Sequence, residues 1–153
     1  DESTWSRGQA WGVYGFTMCY RETGNPAYLE QAVKSADYFI NHPNFPKDGV
    51  PYWDLSSTDI PNTYRDASAG AILASALYEL STYATDKDYK SIADNIINTL
   101  SGPEYRAELG ENGNFILMHS VGNLPSNSEI DVPLNYADYY YLEALKRKKE
   151  LEK

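Results

Sequence analysis

The run RDASAGAILASALYEL, residues 65–80, constrains the fold more than any other stretch. Ala67, Ala69, Gly70, Ala71, Ala74 and Ala76 crowd it, and it is small or apolar nearly all round. Such a helix has no wet face, so other elements must surround it. A second stretch, TWSRGQAWGVYGF from Thr4 to Phe16, behaves alike. Gly8, Gly12 and Gly15 fall on one helical face, and Gly24 is placed to cap the end. Each glycine inside a helix costs about 1 kcal/mol relative to alanine. Their repetition therefore predicts close neighbours and burial on every side.

Between these runs lie helices of another kind. Asn25-Pro26 reads as an N-cap followed by proline at the first helical position. Leu29, Ala32, Val33, Ala36, Phe39 and Ile40 follow at helical spacing, and Pro43 ends the run. Asp86 opens a similar helix with Tyr89, Ile92, Ala93, Ile96, Ile97 and Leu100 on one face, stopped by Gly102-Pro103. Arg7 and Arg65 lie 58 residues apart, and Tyr28 and Tyr89 lie 61 apart. The pattern is a repeated helical hairpin, inner helix then outer helix. A third inner helix is expected from Leu134, in PLNYADYYYLEALKR. The loops are 43–62 and 101–133, and FILMHSV in the second suggests a short strand. The expected fold is all-α, a partial (α/α)6 barrel with a loop and β excursion near 101–133. Two hairpins and half of a third make an arc rather than a ring.

The 153 residues suffice for one compact unit, 1–153. The formal net charge of -9 leaves no basic footprint, which excludes a nucleic-acid partner. No window is apolar enough to span a membrane. Cys19, the single cysteine, cannot form an internal disulfide and is expected to be buried packing. The chain begins DESTW, so the natural N-terminus is expected to lie upstream, and the compartment stays open between periplasm and cytoplasm. No zinc, EF-hand, phosphate-loop or dinucleotide motif occurs, so neither metal nor organic cofactor is expected.

Each inner helix begins with polar and aromatic residues. The first carries Trp5, Ser6, Arg7, Gln9 and Trp11; the second Tyr64, Arg65 and Asp66; the third Asn135, Tyr136 and Asp138. In a toroid these starts converge on one mouth. Indole faces can stack on sugar rings, and arginine can grip a carboxylate with two parallel bonds. The candidate binding residues are Arg7, Gln9, Trp11, Trp53, Asp54, Arg65, Asp66, His119 and Tyr136. Each has a plainer reading. A tryptophan can be core, Arg65 and Asp66 can form an internal ion pair, and Asp66 can be only an N-cap. Trp53 and Asp54 in PYWDL can anchor a loop, and His119 can be structural.

The blocks WSRGQAWGVYGF, VPYWDL, RDASAGAILASALYEL, LMHSVGNLP and EIDVPLNYADYYYLEAL together resemble glycoside hydrolase family 88, the unsaturated glucuronyl hydrolases. The likeness runs from about Trp5 to Leu145, in order. SRGQAWG alone is also similar to the unsaturated rhamnogalacturonyl hydrolases. The resemblance implies an (α/α)6 barrel and substrates left by polysaccharide lyases, glycosaminoglycan oligosaccharides ending in a 4,5-unsaturated uronic acid. It implies that an aspartate protonates the C4=C5 double bond and activates a water that adds at C5. The hemiketal formed then rearranges and the glycosidic bond is lost. Family members are more than twice this long, and their two central aspartates precede the SRGQAW motif. No catalytic residue is therefore expected in this chain, which would be the C-terminal portion of the domain with the N-terminal half absent. Arg7 and Trp11 match the family's substrate-contacting motif, and Gln9 follows less directly. The expected partners are the oligosaccharide and either the missing half or further copies of the chain. Two other readings remain: a non-enzymatic helical-repeat module that binds a glycan or protein, and activity within this chain through Asp54, Asp66 or Asp138.

Overall fold

A computed structural model of the chain describes residues 2–153. Five α-helices follow one another: α1 (Ser6–Thr23), α2 (Pro26–Ile40), α3 (Ala67–Leu80), α4 (Tyr89–Leu100) and α5 (Asn135–Leu151). Between α4 and α5 lies an antiparallel pair, β1 (Ser120–Asn123) and β2 (Ser128–Val132). The inner helices are α1, α3 and α5, with α3 central and packed on α1, α4 and α5. The outer helices α2 and α4 back them.

The caps follow the local chemistry. The Asn25 side chain accepts from the Ala27 N–H at 3.1 Å, ahead of Pro26. Gly24 takes the left-handed conformation, φ 66°, that ends α1. The second outer helix begins later than its first acidic residue suggested. Its N-cap is Asp88, and residues 85–87 form a turn. The strand is also displaced. Of FILMHSV only Ser120 and Val121 join β1, because Ala107 and Met118 are already bonded to the opposite sides of the 105–116 loop, to Ile116 and Tyr105.

Every residue of α3 except Glu79 is buried, as its composition demands. The first helix departs from the expectation. Only one stripe of α1 is buried (Ser6, Arg7, Ala10, Val13 and Thr17), and a Cβ added at Gly12 or Gly15 would meet nothing within 4 Å. Cys19 is accordingly half-buried rather than core. The α5 helix likewise buries Ala137, Tyr141 and Ala144 but exposes Tyr139 and Leu142. The two inner helices that flank α3 thus each present an open side.

Polar networks pin the helices from their middles to their C-terminal turns. Asp94 of α4 accepts from Tyr78 of α3 and pairs with Lys90 and with Lys148 of α5. Glu143 of α5 accepts from Tyr14 at 3.1 Å and from Ser75 at 2.5 Å. Glu79 takes both Arg21 and Arg147. These pairs fix the register of α1, α3 and α5 along their length.

Candidate functional site

The site begins with a short extended strap before α1. Thr4 accepts from Leu55 N–H, and Ser6 N–H donates to the Trp53 carbonyl at 3.0 Å. On its other edge Trp53 N–H donates to Tyr64, and Asp66 N–H donates to Pro51. Residues 51–55 are therefore stitched between the chain's first residues and the start of α3. Asp54 is the knot. Its buried carboxylate accepts from Thr4 N–H at 2.9 Å, from Ser56 N–H at 2.7 Å and from the Ser3 hydroxyl. The strap is what turns Trp5 and Trp53 toward one cavity.

Arg7 is the centre of the arrangement, and its side chain is almost wholly buried. One terminal nitrogen, Nη1, donates to the Val121 carbonyl at 2.5 Å and lies 3.3 Å from both Asp66 Oδ2 and Ser68 Oγ. Nη2 donates to the Gly122 carbonyl at 2.6 Å. The guanidinium also lies over the Trp5 ring, 5.0 Å from its centroid, and over that of Tyr136 at 5.4 Å. Asp66 has no exposed surface. It caps α3 through Ser68 N–H at 3.0 Å, and it also accepts from the Ser68 hydroxyl at 2.6 Å and Val121 N–H at 3.3 Å. Burial pushes its carboxyl above the usual carboxylate range, against the pull of Ser68 and Arg7.

A cavity of about 460 Å³ opens beside this cluster. Trp5, Trp53 and Arg7 line one side, and Val121 to Pro125 of the hairpin line the other. Gly8 is required here. A Cβ at that position would stand 2.7 Å from Trp5 Cε3, so only glycine lets the indole lie on the first turn of α1. A second, open groove runs past Asn135, Tyr136, Tyr139 and Tyr140 at the start of α5.

The expected binding residues separate into those the cavity uses and those it does not. Arg7, Trp53 and Asp54 line it, although both Asp54 oxygens are engaged by the strap. Tyr136 borders the neighbouring groove and faces Arg7. Trp11 packs edge-on against Tyr14 and Tyr140, one turn further along α1. Gln9 is half-buried on α1 and lines neither space. Arg65 and Asp66 are not an ion pair with each other. Adjacent residues at the start of α3 diverge, and Arg65 instead pairs with Asp48, donates to the Val50 carbonyl and covers Tyr52. Asp66, expected to face a ligand, is sealed beneath Arg7. His119 sits at a positive φ of 62° outside the cavity, with Nδ1 2.6 Å from Asp131 Oδ1. Asp138 accepts from Ile116 and Leu117 N–H, both at 2.8 Å, so it anchors the long loop. Trp5 and the 121–125 wall also line the cavity, and neither is among the expected binding residues. The glycine three residues after Trp5 was the available signal for the first; the second had none, because a hairpin's contact with α1 is not encoded in its own residues.

Fold and site together define an arc of an (α/α) barrel, with an aromatic, arginine-centred cleft at the starts of its inner helices. The chain is similar, over nearly its whole length, to part of several unsaturated glucuronyl hydrolases. It is 54% identical over 149 residues to the unsaturated glucuronyl hydrolase of Formosa agariphila, covering 97% of this chain and 37% of that protein. It is 38% identical over 152 residues to that of Bacillus sp. strain GL1, covering 96% and 40%. A crystal structure described as an unsaturated glucuronyl hydrolase specific for heparin superposes with a TM-score of 0.95 at 53% identity, over 98% of this chain and 41% of that one. No protein-family model matches the chain. The chain spans about two fifths of the length of these relatives.

Proposed function

We propose that this chain is the C-terminal portion of a single (α/α)6 hydrolase domain that removes a terminal 4,5-unsaturated uronic acid from lyase-generated glycosaminoglycan oligosaccharides. The chemistry is hydration of the C4=C5 double bond, with the acid/base aspartates supplied by the remainder of the domain. This chain contributes the sugar-holding half of the cleft. Trp5 and Trp53 offer apolar faces to a pyranose ring, and Arg7 offers donors to the uronate carboxylate.

The observation that carries the reading is the state of the carboxylates. Asp54, Asp66 and Asp138 are each taken up by donors of the chain itself. A general acid/base group needs an oxygen available to the reacting atoms, and in all three both carboxylate oxygens already accept hydrogen bonds within the chain. The open sides of α1 and α5, with Met18, Tyr139 and Leu142 exposed, support closure against further barrel helices.

The test is loss of the ultraviolet absorbance of the conjugated double bond in unsaturated heparin and chondroitin disaccharides. This chain alone should leave the absorbance unchanged. Adding a separately expressed N-terminal portion of the barrel should restore turnover. Turnover by this chain alone would overturn the division of labour, and no turnover with both portions folded together would overturn the assignment.

A further inference from the structure

Asp66 is wholly buried and lines neither groove, yet four donors converge on it. Capping α3 needs only one of them, Ser68 N–H. The other three come from the Ser68 hydroxyl, from the hairpin at Val121 and from Arg7. A guanidinium has five N–H donors in a fixed plane. In Arg7 the Nη1 pair is spent on Val121, Asp66 and Ser68, and one Nη2 donor is spent on Gly122. The Nε–H and one of the two Nη2–H donors have no partner among the described residues, and Nε and Nη2 share one edge of the group, its side-on fork. That fork is the geometry a carboxylate accepts. Arg7 is also a wall of the cavity.

We infer that Asp66 is a positioning residue for uronate binding: it fixes the Arg7 plane so that the free fork is presented to the cavity, and it ties the hairpin wall to the start of α3. The inference rests on the proposed role of Arg7 toward the ligand carboxylate. Asp66 itself touches no ligand. It acts through two other groups at once. Its contact with Arg7 sets the rotation of the guanidinium, and its contact with Val121 N–H sets the place of the carbonyls that hold the other donors. Asparagine at this position keeps an acceptor for Ser68 and Val121 but turns an amide toward, or removes a charge from, the Arg7 side. The plane is then held only by neutral acceptors, the Val121 and Gly122 carbonyls and the Ser68 hydroxyl.

The experiment compares wild type, Asp66→Asn and the milder Ser68→Ala. Calorimetry measures binding of an unsaturated uronate disaccharide and of its methyl ester, and nitrogen-15 spectra follow the Arg7 Nε–H. In Asp66→Asn the free acid should bind on the order of tenfold more weakly, the size of one lost charge-assisted contact, while the ester changes less than about twofold. The Arg7 Nε–H signal should be sharp and slowly exchanging in wild type and lost or broadened in Asp66→Asn. Ser68→Ala should fall between. Equal weakening of acid and ester, or an unaltered Nε–H signal in Asp66→Asn, overturns the positioning role. A wild-type chain that does not prefer the acid over the ester overturns the reading of Arg7 beneath it. The two failures are separate, because the second appears before any residue is changed.

Discussion

Replacing Gly12 and Gly15 by alanine tests how the first helix is surrounded. Both lie inside α1, and a Cβ at either would meet nothing within 4 Å. With no steric term, what remains is helix propensity, about 1 kcal/mol per residue in favour of alanine. Each single variant should gain about 1 kcal/mol, and the double variant up to about 2 kcal/mol. With a urea dependence of roughly 2 kcal/mol per molar for a chain of this size, the double variant's midpoint should rise by about 1 M. Gly8 is the internal control, because its Cβ would strike the Trp5 ring at 2.7 Å. The alanine there should gain little or lose stability, and the tryptophan emission should shift as the indole moves. The assay is equilibrium urea unfolding of this chain followed by fluorescence and circular dichroism. Loss of stability in Gly12→Ala or Gly15→Ala refutes the open-face description. The same pair of alanines placed in a complete barrel should reverse sign if another helix packs there, since overpacking costs about 1–3 kcal/mol.

Three further outcomes follow from the same geometry. Gly49 has φ 83°, and its Cβ would come within 2.6 Å of Ile96 Cγ1; Gly49→Ala should lower stability by about 3 kcal/mol in urea unfolding, combining backbone strain and overpacking. Asp94 is subject to burial, which alone would raise its pKa, but Lys148, Lys90 and Tyr78 outweigh it and hold the carboxyl at about 2, below the ordinary 3.8. A depressed carboxylate gives stability that is present above the unfolded value and lost as pH falls through the folded one. Acid titration between about pH 4 and 2 should therefore cost about 1–2 kcal/mol in wild type after solvent screening, and Asp94→Asn should flatten that step. Trp53→Ala should weaken disaccharide binding on the order of tenfold, from a stacking loss of about 1.5 kcal/mol, while leaving the Asp54 contacts and the helical circular dichroism intact.

Helix types and their order were legible because periodicity and side-chain size report burial directly. The small-residue run at 67–80 could only be central, and Asn25-Pro26 and Gly24 announced their caps. The glycines of α1 misled in part. A small residue signals room for a neighbour but not that the neighbour is present in the same chain, and here two of the three face nothing. At the site, residue types were legible and pairings were not. Arg7, Arg65, Asp48, Asp54 and Asp66 are all visible as charges, but which arginine meets which aspartate depends on where residues 48–54 cross the strap. The hairpin wall was the least legible, since its place follows from Arg7 and Asp66 more than 50 residues earlier in the chain.

The enclosure of α3 also bears on how the chain must be made. Its apolar surface is complete once Leu80 has been synthesised, but part of its cover, α5, follows only after the whole 101–133 excursion. During that interval the ribosome holds out a helix with no wet face, which within these residues is partly shielded by α1 and α2 and then by α4. Exposed apolar surface of this kind is what holding chaperones bind and what drives off-pathway aggregation. Translation speed across the long loop, rather than the stability of the finished fold, then becomes a determinant of yield.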